Sequence, residues 1–452
     1  MYKTIFISVF YPFVSRSILN TGVLDELLAG GNKVVIFVPP QKEIFYKETY
    51  NHTQVKIEVF DLLKNGSRLN KVLREFAELL LNTKVKKFHK MHVLYNTGNY
   101  LLYFLKRITT VALGKLRVVK TFFRFVERTF NRIDAFGRFF TEYNPDVVFL
   151  PDIYGEEDIL LLKSARKRGV KVIGMVASWD NNTSKHLMRA IPDKLIVQNE
   201  IIKEEAERLH AVPSRIIKVV GIPHYDYYRE YQPVPREEFC HSMGINPSKR
   251  IIVFSPAGEK FISTDWQICE LLKRAYAGGK ISDDVVILVR VHPTNITDLT
   301  QFVPDLHFVI DKPGVKFEGM GEKKNELDKK SIHHLLDTLH HSELVINIFS
   351  SIVIDAAVLD KPIITIGFDG FDESAPFIRS VKRWISEDHM DKLLRTGGAP
   401  IVKTLDELIG QINKYLKNPA LDRQGRKRIV EEQCWKTDGL SKSRMAKVIL
   451  NE

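Results

Sequence analysis

Short apolar runs alternate with amphipathic stretches along most of the chain. Stretches such as 17–29 and 156–167 show the apolar spacing of helices, whereas the runs between them are short enough for strands. The predicted strands are 4–10, 33–38, 55–60, 146–151, 170–176 and 194–198, with a second series at 250–255, 285–291, 308–310, 344–348 and 362–366. Apolar strands separated by helices predict parallel sheets covered by helices on both faces.

The two series of strands predict an α/β protein with two Rossmann-like, doubly wound domains. A chain of 452 residues also exceeds one hydrophobic core of ordinary size. The connection between the domains is expected at about 221–250, where prolines are frequent. The expected domains are an N-terminal one (1–222, with a helical insert at about 84–135), a C-terminal one (223–425) and a last helix (426–452) that packs back on the first.

The cysteines and the N-terminal sequence indicate the cellular compartment in which the protein is expected. Cys240, Cys269 and Cys434 are scattered and form no Cys-x-x-Cys pair, which favours neither a zinc site nor a disulfide framework. The chain begins directly with a strand pattern and lacks the order of a signal peptide. We therefore expect a cytoplasmic protein.

The charge is concentrated in one segment. The net charge is +12, and residues 84–132 carry many Lys and Arg side chains, interleaved with aromatics, but only one carboxylate, Glu127. No run in this segment reaches the roughly 18 apolar residues of a spanning helix. Two interpretations remain open: a basic amphipathic surface on the inner face of an anionic cell membrane, or ordinary helices whose cations reach solvent. Nothing in the sequence indicates a nucleic-acid recognition module.

The segment from Val345 to Ile364 is typical of a phosphate site. A buried strand leads into the turn Ser350-Ser351, then into a short helix with Asp355 in its first turn, and then into the next strand. Such a turn directs hydroxyls and free N–H groups to the positive end of a helix. Ser350 and Ser351 are expected to bind a donor phosphate, and Asp355 to accept from ribose or base; helix capping is the structural alternative.

Two other strand ends supply further donor-binding candidates. Arg290 and His292 follow a buried strand, and His292 is expected to stabilise a leaving phosphate as a cation. Ser255 and Gly258 follow the first strand of the second series, where glycine permits close approach of a ligand. No metal site is expected, because no Asp-x-Asp and no cluster with ligand spacing occurs.

These motifs resemble those of GT-B glycosyltransferases, in which two Rossmann-like domains face a central cleft. The segment 347–351, Asp355 and Asp360-Lys361-Pro362 are most similar to the pattern of CDP-glycerol glycerophosphotransferases. Segments 177–185, 192–200 and 221–226 resemble bacterial surface-polysaccharide transferases, and His-Pro and Ser-Ser motifs also occur in sialyltransferases and Kdo transferases. The resemblance implies a nucleotide-activated donor, CMP- or CDP-linked, and leaves its sugar or polyol open.

The first domain is expected to supply a general base and to bind the acceptor. Asp180 is the first candidate for the base, because it follows a buried strand beside Trp179, a natural surface for sugar stacking. Asp152, which follows strand 146–151, is the second. Each carboxylate also fits a turn that caps the next helix. Lys185 and Arg16 are candidates for attracting an anionic acceptor.

The expected activity is metal-independent transfer of a sugar or polyol phosphate to a hydroxyl of a cell-surface polysaccharide, lipopolysaccharide or teichoic-type acceptor. The expected partners are the nucleotide-activated donor, a glycan or lipid-linked acceptor and an anionic membrane surface, but no nucleic acid. One alternative is a nucleotide-sugar epimerase of the same architecture, which needs no acceptor. The other is a non-enzymatic scaffold at the membrane.

Overall fold

The computed structural model describes residues 2–65, 68–131, 133–259, 261–293, 297–317, 325–371 and 375–451. The chain divides into two compact units. The first unit comprises Met1–Tyr227, Phe317–Glu326 and Cys434–Glu452, and the second comprises Tyr228–Lys316 and Leu327–Gln433.

Each unit is built around a parallel sheet. The strands are β1 (Thr4–Ser8), β2 (Lys33–Val38), β3 (Val55–Val59), β4 (Val147–Leu150), β5 (Lys171–Met175), β6 (Lys194–Val197), β7 (Ile217–Val219), β8 (Arg250–Ser255), β9 (Val285–Arg290), β10 (Phe308–Asp311), β11 (Val315–Lys316), β12 (Asn325–Glu326), β13 (Ser342–Asn347), β14 (Ile363–Ile366) and β15 (Ile401–Val402).

Helices connect most of these strands. The α-helices are α1 (Pro12–Val14), α2 (Val23–Ala29), α3 (Glu43–Thr49), α4 (Leu62–Asn65), α5 (Arg68–Leu79), α6 (Lys84–Thr97), α7 (Tyr100–Leu113), α8 (Arg117–Phe130), α9 (Gly137–Tyr143), α10 (Glu156–Lys167), α11 (Asn181–Ser184), α12 (Glu200–His210), α13 (Pro223–Glu230), α14 (Arg236–Met243), α15 (Asp265–Ala277), α16 (Lys329–His341), α17 (Ile352–Val358), α18 (Val381–Trp384), α19 (Asp388–Leu394), α20 (Leu405–Lys417), α21 (Arg423–Cys434) and α22 (Ser441–Leu450).

The sheet of the first unit has the strand order β3-β2-β1-β4-β5-β6-β7, and its neighbouring strands pair in parallel. Alternate residues of β1 enter opposite cores: Phe6 packs on one face, and Ile5 and Ile7 pack on the other. Both faces are therefore buried, as expected of a sheet with helices on both sides. Helix α22 contributes Ile449 to the second of these cores.

The sheet of the second unit has the order β10-β9-β8-β13-β14-β15 and is also parallel. Ile252 and Phe254 of β8 enter one core, whereas Ile251 enters another. The predicted fold class, two Rossmann-like parallel-sheet units, is confirmed.

Two local predictions differ from the structure. The helix predicted at 17–29 is divided into a π-helix (Ser15–Leu19) and α2, because Gly22 takes φ +81° before α2 begins. The edge strands β7 and β15 were missed; at three and two residues they are too short to show a periodicity.

The segment Phe317–Glu326 belongs to the first unit, although it lies between strands of the second. Nζ of Lys42 lies 2.8 Å from Oε2 of Glu326, and both side chains are 1% exposed. The ring of Phe317 contacts that of Phe45 edge-on. A buried ion pair and an aromatic contact therefore fix both ends of this segment to the first unit.

Candidate functional site

The second unit has a topological switch point between β8 and β13. From β8 the chain proceeds to β9 and β10 on one side, and later returns to pair β13 on the other side. Ser255, the last residue of β8, is in register with Asn347, the last residue of β13. Open parallel sheets bind ligands beyond the carboxyl ends of their strands at such a point. The structure thus brings the predicted donor-binding residues after β8, β9 and β13 to one edge.

The turn after β13 combines capping with exposed polar groups. The N–H of Ile352 donates to Oγ of Ser350 over 3.4 Å, and the N–H of Ser350 donates to Oδ1 of Asn347 over 3.4 Å. Ser351 is exposed, and its hydroxyl makes no hydrogen bond to any residue that the structure describes. Ser351 is the N-cap residue of α17, but its hydroxyl makes no capping bond and faces solvent, while the hydroxyl of Ser350 accepts from the first N–H of the helix.

Asp355 lies in α17, the helix that follows this turn. It is 2% exposed, and the hydroxyl of Tyr228 donates to its Oδ1 over 2.6 Å. Tyr228 is a residue that the sequence did not single out. The contact gives Asp355 a structural function in holding α13 against α17, in addition to the expected role toward ribose or base.

The loop after β8 is held in place by a buried carboxylate. Gly258 has φ +91°, and its N–H donates to Oδ2 of Asp265 over 2.7 Å. The N–H of Ala257 donates to Oδ1 of the same side chain over 3.0 Å. Burial raises the pKa of Asp265 to about 7, although both N–H groups lower it. The loop carrying Gly258 is therefore fixed at the strand edge by Asp265, which sequence reasoning missed.

The charge of Arg290 is matched inside the unit. Arg290 is 7% exposed and pairs with Asp311, whose Oδ1 lies 2.9 Å from Nε2 of His334. Burial opposes ionisation of Asp311, but His334 and Arg290 hold its pKa below the usual range. His292, two residues beyond the end of β9, is half-buried. The partners Asp311 and His334 were not predicted, because they belong to a neighbouring strand and a distant helix.

The first unit has its own switch point, between β1 and β4. The chain goes from β1 to β2 and β3 on one side and returns with β4 on the other. Asp152 follows β4 directly, and Oγ of Ser8, at the end of β1, donates to Oδ1 of Asp158 over 2.5 Å. Asp158 lies in the first turn of α10. The sequence predicted a helix at 156–167, but not that Asp158 reaches β1.

Several carboxylates meet at this switch point. Burial raises the pKa of Asp152; the charges of Glu157 and Asp180 raise it further, and Lys185 lowers it. Burial also raises the pKa of Asp158 well above its usual value. Three of the predicted residues, Asp152, Asp180 and Lys185, are therefore close enough to interact electrostatically.

Asp180 is held by its neighbours on α11. Its Oδ1 accepts from Oγ of Ser178 over 2.7 Å, and its Oδ2 accepts from Oγ of Ser184 over 2.8 Å. Trp179, next to it, is half-buried. Asp180 is the N-cap residue of α11, but its carboxylate makes no capping hydrogen bond to the helix and accepts two serine hydroxyls instead.

Arg16 is largely buried, unlike a surface cation. It lies in the π-helix after β1 and is only 9% exposed. Burial lowers the pKa of His224 well below its usual value, and the charge of Arg16 lowers it further. The charge of Arg16 therefore acts on His224, a proximity that sequence spacing could not show.

Among the described residues, no three His, Cys, Asp or Glu side chains lie together as a metal site would require. The three cysteines are buried and free. The groups predicted to bind the donor at the edge of the second unit include the hydroxyl of Ser351 and His292.

Comparison with known proteins decides the family. The sequence profile described as CDP-Glycerol:Poly(glycerophosphate) glycerophosphotransferase matches residues 169–451, more than half of the chain. The chain belongs to this glycerophosphotransferase family. It is a GT-B-type transferase that uses a nucleotide-activated donor. No curated protein sequence matches it significantly.

Solved structures share the fold of this glycerophosphotransferase family member along nearly its whole length. The UDP-GlcNAc 2-epimerase of Neisseria meningitidis, solved with UDP-GlcNAc, has a TM-score of 0.58 at 10% identity and covers 99% of this chain and 100% of its own. A glycosyltransferase of Rickettsia africae has a TM-score of 0.52 at 12% identity, covering 100% and 99%. The wall teichoic acid polymerase TagF has a TM-score of 0.50 at 13% identity, covering 99% and 88%. At these identities the likeness shows the GT-B fold alone.

Proposed function

We propose that the protein transfers a polyol phosphate or a sugar from a cytidine-nucleotide donor to a hydroxyl of a cell-surface polymer, such as a teichoic-type, polysaccharide or lipopolysaccharide acceptor. The observation that carries the proposal is the switch point of the second unit. Ser255 and Asn347 stand in register there, and Ser350 and Ser351 follow at the same edge. The family profile and TagF, which was solved with CDPG, favour a CDP-linked polyol as the donor.

The donor phosphates would bind the turn after β13. The hydroxyl of Ser351 is a suitable donor for phosphate oxygens, whereas the N–H groups of Ile352 and Val353 already donate to Ser350. His292, as a cation, would stabilise the charge that develops on the leaving nucleotide. These groups would act without a metal ion.

The reaction is a substitution. For a CDP-linked polyol, the acceptor oxygen forms a bond to the distal phosphorus, the bond from that phosphorus to the bridging oxygen breaks, and CMP leaves with the bonding electrons. The proton of the acceptor hydroxyl passes to a general base. For a nucleotide sugar, the bond is formed at the anomeric carbon instead, and the nucleotide leaves.

Asp152 is the better candidate for the base. Burial raises the pKa of Asp152, which favours proton uptake; its Oδ1 accepts from the N–H of Tyr154, whereas both oxygens of Asp180 accept serine hydroxyls. Asp180 remains the second candidate. Trp179 and Lys185, beside it in the chain, would contact the acceptor, and Arg16 would contribute positive charge.

An assay with and without acceptor tests the activity. Purified protein is incubated in EDTA with CDP-glycerol or a CMP-sugar. The release of CMP and the formation of product are followed by chromatography. The proposal predicts CMP release that rises strongly when a hydroxyl acceptor is added. Conversion of a UDP-sugar to its epimer without acceptor would favour the epimerase alternative, and no turnover with any donor would favour the scaffold.

We further propose that α7 and α8 contact the cytoplasmic face of an anionic membrane. No helix among the described residues is long and apolar enough to cross a bilayer. An exposed stripe at helical spacing runs along α7, and it consists of Leu101, Phe104, Leu105, Ile108 and Val111. Cations flank the stripe, and the only carboxylate of residues 84–132, Glu127, is 2% exposed. An apolar face with exposed cations and no exposed carboxylate fits anionic lipid.

Vesicle sedimentation tests the contact. The double variant Leu101→Ser/Ile108→Ser should lose binding to phosphatidylglycerol vesicles, and wild-type binding should weaken at high salt. The matched control is Val303→Ser/Leu306→Ser in the second unit. The side chains of Val303 and Leu306 are 70% and 79% exposed, and those of Leu101 and Ile108 are 71% and 63% exposed. Equal binding by both double variants would refute the assignment.

A further inference from the structure

A cavity of about 780 Å³ lies in the first unit, outside both switch points. Helix α8 forms one wall with residues at helical spacing, α10 forms another, and residues 189–191 close the third side. The apolar part of the lining consists of Phe125, Ile133, Leu162, Ala190 and Ile191. The cavity is therefore amphipathic, with apolar side chains beside a set of cations.

The charges at the bottom of the cavity are balanced. Nη2 of Arg189, a side chain that is 1% exposed, lies 2.5 Å from Oε1 of Glu127. Nζ of Lys163 is 2.9 Å from the same oxygen, and Nη1 of Arg189 is 2.8 Å from Oε1 of Glu156. Two cations and two carboxylates thus satisfy one another there.

Cations outnumber carboxylates among the residues that line the cavity. Arg128 and Arg166 are both exposed, and Arg128 makes no ion pair within the part of the chain that the structure describes. Arg128 and Arg166 both line the cavity. Although the side chain of Arg166 is exposed overall, its partial burial lowers its pKa, Asp193 opposes this, and the charge of Arg128 lowers it further. Lys167 adds a third cation, although it lies 3.3 Å from Asp134. An anion between the two guanidinium groups would relieve their repulsion.

A buried polar group in the lining also lacks a partner. Asn131 is 2% exposed and lines the cavity, and its Oδ1 accepts no hydrogen bond from any described residue. Its Nδ2 donates to Oδ1 of Asn70 over 3.1 Å, which fixes the orientation of the amide. Buried polar atoms are usually paired, so the free acceptor suits a ligand that carries a hydroxyl.

The cavity is continuous with the membrane-facing surface. Phe125 lines it and also continues the exposed stripe of Val118 and Phe122 on α8, where the three side chains are 53%, 80% and 64% exposed. A lipid lying against this stripe would bring its headgroup to the rim of the cavity.

We propose that this cavity binds the headgroup of an anionic phospholipid, with Arg128 and Arg166 on the phosphate, Asn131 accepting from a headgroup hydroxyl and Phe125 against the acyl chains. Phosphatidylglycerol has this chemistry. The proposal rests on the membrane contact proposed above and is independent of the transferase activity.

Calorimetry with a short-chain lipid below its micelle concentration separates the cavity from vesicle binding. Dihexanoylphosphatidylglycerol should bind the full-length wild-type protein at least about tenfold more tightly than dihexanoylphosphatidylcholine or glycerol 1-phosphate. Arg128→Glu should weaken this binding at least about tenfold. Arg117→Glu, at the exposed first residue of α8 and outside the cavity, should change it less than twofold.

The other possible results of the calorimetry would each overturn part of the proposal. Equal affinity for glycerol 1-phosphate would show a site for soluble phosphate rather than for lipid. Absence of wild-type binding, or equal effects of the two substitutions in proteins with unchanged circular dichroism, would refute the cavity. Vesicle sedimentation of the same proteins distinguishes failure of the lipid site from failure of the proposed membrane contact.

Discussion

The carboxylate of Asp265 accepts a 2.7 Å hydrogen bond from the N–H of Gly258 and thereby holds the loop at the switch point of the second unit. Burial raises the pKa of this carboxyl from 3.8 to about 7. The folded state therefore binds the proton more tightly than the unfolded state does. The stabilisation from the protonated group is complete below about pH 4 and is lost as the pH rises through about 7.

Stability measured against pH tests this relationship. The difference in the free energy of unfolding between the wild type and Asp265→Asn should change with pH. We expect it to fall by up to about 4 kcal/mol between pH 4 and pH 8. Urea unfolding at each pH provides the measurement. Asp283→Asn, at an exposed position in the same unit, should show the same pH dependence of stability as the wild type. A wild-type advantage that is independent of pH would show that Asp265 is ionised throughout.

Asp152 should be needed for turnover but not for donor binding. Asp152→Asn should lower kcat by about 100-fold or more, because a general base contributes that much, and should leave nucleotide affinity unchanged. Asp180→Asn should have a smaller effect, below about tenfold. The control is Asp146→Asn, at the opposite end of β4, where the carboxylate accepts from the N–H of Thr4. Full turnover by Asp152→Asn would remove it from the mechanism.

His292 should act on the leaving nucleotide. His292→Asn should lower kcat by about 100-fold and weaken nucleotide binding, because a cation near the phosphate is lost. His241→Asn, on an exposed part of α14, serves as the control for a surface histidine. Steady-state kinetics and calorimetry on both variants give the comparison. Equal constants for the two variants would exclude His292 from the donor site.

The buried pair Lys42 and Glu326 should be important for stability of the first unit. Lys42→Met should lower the free energy of unfolding by about 3–5 kcal/mol, because it leaves Glu326 buried without its counter-charge. The double variant Lys42→Met/Glu326→Met should regain most of this loss. Denaturant unfolding of all three proteins measures the coupling, and additive losses would show that the pair does not interact.

Much of the fold followed from the sequence, because buried parallel strands and their helices leave strong periodic patterns. The positions of Ser255, His292 and Ser350 at the ends of predicted parallel strands made them a plausible set from the sequence alone. What the sequence could not show were contacts between distant elements, such as Asp158 with Ser8 or Asp311 with Arg290. Neither partner lies at a fixed spacing from the other, so only the tertiary structure brings them together.

The proposed transferase depends above all on nucleotide binding at the switch point of the second unit, which calorimetry with CMP, CDP, UDP, GDP and TDP in EDTA measures. We expect selective binding of a cytidine nucleotide, weakened about tenfold or more in Ser350→Ala/Ser351→Ala by the loss of hydrogen bonds to charged phosphate. Ser282→Ala, before the amino end of β9, should bind like the wild type. Failure of all five nucleotides to bind, or wild-type affinity in the double variant, would refute a nucleotide site at this edge.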